Sequence, residues 1–140
     1  MGAKADMSKV DWCQILSWGE DELDDLRLTG YAYLKQGKYD IALSFFEALV
    51  VLSPENSYDL QTLGALYLQL DMPQKAHDML EKALKYEGDH SATLLNLSKT
   101  LFMLKKNKEG LRLAEILQND HSSYVSNVAK AIVLAHSITQ

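Results

Sequence analysis

Leu26-Arg27-Leu28-Thr29-Gly30-Tyr31-Ala32-Tyr33-Leu34-Lys35-Gln36-Gly37-Lys38-Tyr39-Asp40-Ile41-Ala42-Leu43-Ser44-Phe45-Phe46 is the stretch whose features return along the chain. Gly30 and Gly64 are 34 residues apart, and Tyr33 and Tyr67, Ala42 and Ala76, and Phe46 and Leu80 keep the same interval. Leu26, Leu60 and Leu94 carry it into a third copy, where Leu101 stands in the tyrosine position, Ser98 for the glycine, Gly110 for the alanine and Ala114 in the position of Phe46. Leu49, Ala83 and Leu117 form a further series, and Pro54 and Gly88 close the first two units. A repeat of this period is the signature of stacked supersecondary units. Within each unit the apolar positions fall at helical spacing, which excludes strands. Two short antiparallel helices explain the rest: small residues sit where the backbones come closest, and large ones fill the space beside them. One such pair cannot cover its own apolar face, so three stack to bury a continuous core.

Working outward, helices are expected over 22–35 and 39–52, 57–70 and 73–86, and 91–104 and 107–118. Gly37, Asp71-Met72-Pro73 and Lys105-Lys106-Asn107 turn the chain within pairs, while Ser53-Pro54-Glu55-Asn56 and Glu87-Gly88-Asp89 join one pair to the next, with Asn56 and Asp89 as N-caps. The acidic run Glu20 to Asp25 opens the first pair, where a helix N-terminus favours anions. The chain thus divides into 1–22, an N-terminal segment with a short amphipathic helix over 8–19; 23–121, three pairs at 23–56, 57–90 and 91–121; and 122–140, a last helix. Val125, Val128, Ala129, Ile132 and Ala135 lie on one side of that last helix, which is expected to cover the exposed end of the stack.

The whole has 140 residues, the size of one domain, and a hydrophobic fraction of 47% is enough for a core without staples. A net charge of −5 argues against nucleic acid and against an anionic membrane surface, since no basic stripe is present to displace counterions. The single cysteine, Cys13, forbids an internal disulfide and fits a reducing cytoplasm. No stretch is long and apolar enough for a transmembrane helix, and no signal peptide is visible. Met1-Gly2 does not make a myristoylation motif, because Asp6 occupies the position that wants Ser or Thr.

Nothing in the sequence assembles a catalytic constellation. His77, His90, His121 and His136 have no metal-ligand spacing to one another or to Cys, Asp or Glu. His136 reads as a helix C-terminal residue. Cys13 has no histidine beside it and reads as a packed thiol. No glycine-rich phosphate loop occurs, and Asp24 and Asp25 belong to a charged surface run. The chain is therefore expected to need no cofactor and no metal, and not to be an enzyme.

Gly30-x-x-Tyr33, Gly37-Lys38-Tyr39, Ala42, Phe46, Leu49 and Pro54, followed by Leu63-Gly64-x-x-Tyr67, Lys75-Ala76 and Leu80-Glu81-Lys82-Ala83-Leu84, resemble the tetratricopeptide repeat over residues 23–118. The resemblance implies an all-α fold, a right-handed α-solenoid of three helix pairs with an N-terminal helix and a C-terminal capping helix. A narrower resemblance is to the tetratricopeptide chaperones of bacterial type III secretion. It rests on Tyr33 to Tyr39, Ala42, Phe46-Glu47-Ala48-Leu49 and Leu52 in the first repeat, and on Leu63 to Gln69 in the second. That family holds an export substrate on its concave face: a translocator segment, a needle subunit's helix or another early export component. A bacterial, cytoplasmic chaperone is what this resemblance implies, and a general scaffold bridging partners in a larger assembly is the alternative.

In stacked pairs the first helix of each lines the inner surface. The inward positions not assigned to the core are Arg27, Tyr31, Leu34 and Lys35; Tyr58, Gln61, Ala65 and Leu68; and Leu95, Lys99, Phe102 and Met103. Exposed Tyr, Leu, Phe and Met on a curved wall mark a site for a helical or extended protein segment. Resemblance to the tetratricopeptide clamps for a terminal carboxylate stops at Tyr31 and Thr62, which stand where those clamps carry asparagine. Trp12, Ile15, Leu16 and Trp18 give a second apolar surface. It either packs back on the first repeat or forms the homodimer interface that the secretion chaperones use when free of substrate.

Overall fold

A computed structural model describes residues 10–138, all of whose regular structure is helical. Helix α1 is Trp12–Leu16, α2 Glu20–Lys35, α3 Tyr39–Leu52, α4 Ser57–Gln69, α5 Pro73–Tyr86, α6 Ser91–Met103, α7 Asn107–Leu117 and α8 Ser123–Ile138. Helices α2/α3, α4/α5 and α6/α7 are the three pairs, and α8 lies on α7. The bounds fall close to those read from the sequence except at the N-terminus, where α1 is shorter than the 8–19 expected. Residues 8 and 9 of that expected helix, with the Met1-Gly2 start and Asp6, lie outside the described residues.

Local chemistry accounts for most ends. Asn56 caps α4 through its side chain, which accepts from the Asp59 amide at 2.9 Å. The α6 cap is His90 rather than the expected Asp89: its Nδ1 accepts from the Thr93 amide at 3.3 Å and contacts the Thr93 hydroxyl at 2.8 Å. At the start of α2 the Glu22 carboxylate accepts from the Gly19 amide at 2.8 Å, so the acidic run does serve a helix N-terminus. The turn inside each pair repeats one geometry. Gly37, Asp71 and Lys105 take left-handed backbone, and the amide after each reaches back across the helix end: Lys38 to the Tyr33 carbonyl, Met72 to Tyr67, and Lys106 to Leu101. Only the first copy uses glycine, the residue that adopts this conformation without strain.

The pairs close on their small residues. A Cβ at Gly30 would lie 2.9 Å from the Phe45 Cβ and 3.0 Å from the Phe46 ring, and one at Gly64 would lie 2.6 Å from Leu80 Cδ2. Ala42, Phe46, Ala76 and Leu80 are fully buried opposite them. The third pair exchanges these roles. Ser98 is buried and its hydroxyl donates to the Gly110 carbonyl at 2.7 Å, while a Cβ at Gly110 would meet the Phe102 ring at 3.0 Å and the Ser98 carbonyl at 3.1 Å. Glycine stands on the second helix here, where Ser98 and Phe102 both come close to it.

The core is not the single continuous one expected. Leu23, Phe46, Leu49, Leu63, Leu66, Tyr67 and Leu80 belong to a cluster in the first two pairs, and Leu95, Leu117, Val125 and Ala129 to another at the far end. The third pair, which supplies Leu95 and Leu117, also buries Thr93, Ser98 and Thr100, whose hydroxyls find partners at His90, Gly110 and the Asn96 carbonyl. Two polar links tie the first two pairs together. Tyr67 donates to Glu47 at 2.6 Å, and burial first, then that bond, raises the phenol pKa. Arg27 donates to both oxygens of Asp59 at 2.8 Å each, and its third contact is Asp24 at 2.9 Å. Asp59 is wholly buried, and its hydrogen bond is the main cause of the raised Arg27 pKa.

Two stability predictions follow from these contacts. Arg27→Met strands a buried carboxylate and should cost about 3–5 kcal/mol, whereas Arg27→Met with Asp59→Leu should recover most of the loss. A double variant no more stable in urea unfolding than the single would contradict the pairing. Gly110→Ala should cost about 1–3 kcal/mol by overpacking, less the ~1 kcal/mol alanine returns in helix propensity. Phe102→Leu in the same chain should relieve part of it, so purely additive effects would show that the ring is not what crowds Gly110.

Candidate functional site

The inner helices α2, α4 and α6 leave a cleft of about 290 Å³ lined by Tyr31, Leu34, Tyr58, Gln61, Ala65 and Asn96, with Thr62, His90, Ala92 and Thr93. It runs on through Leu34 and Ala65 into a smaller hollow of about 210 Å³ beside Tyr39, Leu66 and Gln69. The groove crosses the stack obliquely, meeting the C-terminal half of α2 but the N-terminal half of α6. Tyr31 and Tyr58 are 40% and 46% exposed, so two aromatic faces stand open to solvent on a concave wall. Lys35 holds its ammonium 5.0 Å from the Tyr31 ring centre.

Five positions read from the sequence meet in this cleft: Tyr31, Leu34, Tyr58, Gln61 and Ala65. The others stand elsewhere. Arg27 is held by Asp59 and Asp24 and ties the first two pairs together, so its guanidinium is not available to a partner. Leu68 packs against the N-terminal core cluster. Leu95 is only 2% exposed and belongs to the C-terminal cluster. Phe102 lies over Gly110 with its ring stacked on His136, centroids 4.0 Å apart. Lys35, Lys99 and Met103 fall outside the cleft lining. Leu95 and Phe102 share one cause, since both turn into the packing of neighbouring helices rather than into the groove. His136 also donates from Nδ1 to the Ile132 carbonyl at 2.9 Å in the last turn of α8.

The third-repeat wall is where sequence reasoning fell short. Ala92 and Asn96 follow Tyr58 and Thr62 by the 34-residue interval, so the repeat itself carried the signal. Thr93 and His90 enter because the helix cap folds over the end of the groove.

At the opposite end Cys13, Trp18 and Leu23 border a cleft of about 450 Å³ with Asp11, Glu20 and Glu55 on its rim. Cys13 donates to the Leu52 carbonyl at 3.2 Å; burial, then Asp11 and Glu20, raise its pKa. Cys13 and Trp18 pack on the N-terminal core, and Trp12 is partly covered, while Ile15 and Leu16 stay exposed. The apolar N-terminal surface is therefore divided: part is used within the chain and part is open. Among the described residues no three His, Cys, Asp or Glu side chains come together as a metal site, and no helix is long and apolar enough to cross a membrane.

Comparison with known proteins bears on this architecture in two ways. A family model described as anaphase-promoting complex, cyclosome, subunit 3 matches residues 35–117, more than half of the chain. The BBSome complex member BBS4 of Bos taurus is 38% identical over 68 residues, covering 49% of this chain but 13% of that relative. Among solved structures, PcrH in complex with the chaperone binding region of PopD superposes with a TM-score of 0.75 at 18% identity, covering 86% of this chain and 95% of the other. The type III secretion translocator chaperone SycD of Yersinia enterocolitica gives 0.72 at 20% identity, covering 88% and 96%. These superpositions speak to the fold alone. With three helix pairs in a 34-residue register and that match over residues 35–117, the chain belongs to the tetratricopeptide-type family described as anaphase-promoting complex, cyclosome, subunit 3.

Proposed function

We propose that this protein is a chaperone that holds a segment of a type III secretion substrate in its concave groove before export. The substrate class is a translocator, a needle subunit or another early export component, and the setting is a bacterial cytoplasm. The observation that carries the reading is the open apolar wall of Tyr31, Leu34, Tyr58 and Ala65 on the inner helices. Water gains from its removal, and a client's own apolar face is the natural cover. The likeness to SycD and to PcrH bound to a PopD segment supports the choice of client. The mechanism is occlusion: the groove takes the client's self-association surface out of water and releases it when another partner competes. No chemical step is involved, and the protein acts by binding alone.

A second reading, a scaffold that bridges partners in a larger assembly, is favoured by the sequence relationship to BBS4 and to the anaphase-promoting complex family. Co-expression with type III secretion translocators and needle subunits separates the two. A chaperone should yield a one-to-one soluble complex with a substrate that aggregates alone. In calorimetry on that complex, Tyr31→Ala with Tyr58→Ala should weaken binding, by about 2 kcal/mol for each truncation that proves a hot spot, with helicity unchanged. A double variant that binds as tightly as the parent would remove the groove from the account, and substrates that stay soluble without the protein would favour the scaffold.

A further inference from the structure

The groove has one polar feature that its apolar wall does not explain. Next to Gln61 of the lining, Glu87, the C-cap residue that follows α5, receives two hydrogen bonds on the same oxygen, from the Ser57 hydroxyl at 3.2 Å and from Gln61 Nε2 at 3.1 Å. Both donors are neutral. Among the described residues no Lys, Arg or His lies within ion-pair distance of this carboxylate, although Arg27 and His77 find acidic partners. Two bonds from α4 therefore hold this exposed carboxylate in place with no cationic side chain beside it among the described residues.

Gln61 also lines the cleft. A carboxylate has no proton to give, so the amide nitrogen is the atom that faces Glu87, and the Gln61 carbonyl oxygen is turned away from it. Gln61 spends one of its two amide hydrogens on Glu87, so the pair offers chiefly acceptors, the Gln61 oxygen and the free lone pairs of Glu87, beside one remaining N–H. Tyr58 precedes Gln61 by three residues, one turn back on the same face of α4, and borders the same cleft with its ring exposed. A ring beside a ring-free cluster of acceptors suits a side chain that is apolar along its stem and carries several donors at its tip, the description of lysine and arginine.

We infer that Gln61 and Glu87 form a receptor for one basic residue of the bound segment, resting on the groove reading above. The partner is then an apolar segment flanked by a lysine or arginine. Its apolar residues lie along Tyr31, Leu34 and Ala65, its basic side chain runs past Tyr58, and its charge ends between the Gln61 oxygen and Glu87. Because the pair is near the surface it sets register and selectivity more than affinity.

Selection from a random 16-residue peptide display library tests this on the full chain. Against the parent protein, enriched peptides should carry Lys or Arg at a fixed spacing from a cluster of apolar residues. Against Glu87→Lys the same position should turn to Asp or Glu. A parent-selected basic peptide should lose roughly 3–10-fold in affinity to Glu87→Gln, with a weaker salt dependence. Selection of the same sequences by parent and Glu87→Lys, or an unchanged affinity for Glu87→Gln, overturns the receptor while leaving the groove. Enriched peptides that bind Tyr31→Ala/Tyr58→Ala undiminished, or a library that yields none, overturn the groove reading and the receptor with it.

Discussion

How closely two helices of a pair can approach governs everything else in this molecule. At Gly30 and Gly64 the neighbouring helix comes so near that even a methyl group would overlap Phe45, Phe46 or Leu80. That approach lets Phe46 and Leu80, both fully buried, fill the space beside the glycines. The concave wall is the consequence. The inner helices leave a cleft between them in which Tyr31 and Tyr58 stay partly open to solvent.

The third pair shows how the same constraint can be satisfied in other chemistry. Serine enters the first helix, glycine passes to the second, and a hydroxyl-to-carbonyl bond replaces pure apolar contact. Thr93 and Thr100 continue this polar seam, each with a local acceptor, so burial costs no unpaired group. Thr93 also reaches the groove, whose lining grades from Tyr31 and Leu34 at one end to His90, Thr93 and Asn96 at the other. Between the first two pairs the Arg27–Asp59 fork has a different part. It specifies which way the pairs face each other, because a buried carboxylate accepts only the arrangement that brings the guanidinium to it.

The helices and their pairing were legible in the sequence, since Gly30, Gly64, Ala42 and Ala76 state the close approach directly and the 34-residue interval places their partners. The left-handed turns at Asp71 and Lys105 were legible only by analogy with Gly37, as neither residue favours that backbone by itself. In the groove, Tyr31, Leu34, Tyr58, Gln61 and Ala65 followed from helix phase. Leu95 and Phe102 did not, because a residue one position off the inner face turns into the next helix, and a period of 3.6 residues does not tell the two apart over one or two turns. Arg27 was read as a groove cation for want of any local sign of Asp59, 32 residues away. The Ser57–Gln61–Glu87 arrangement was invisible for a similar reason: it joins the start of α4 to the end of α5, 26 and 30 residues apart in sequence.

Whether the inner wall is the working surface is tested most directly by tyrosine footprinting of the native complex. Hydroxyl radicals modify exposed rings, and this chain carries its own control: Tyr31 and Tyr58 stand in the groove, while Tyr86 is 52% exposed outside it. With the natural partner bound, Tyr31 and Tyr58 should become several-fold less reactive while Tyr86 reacts as in the free protein. Unchanged labelling of both groove tyrosines in a fully formed complex would contradict the account.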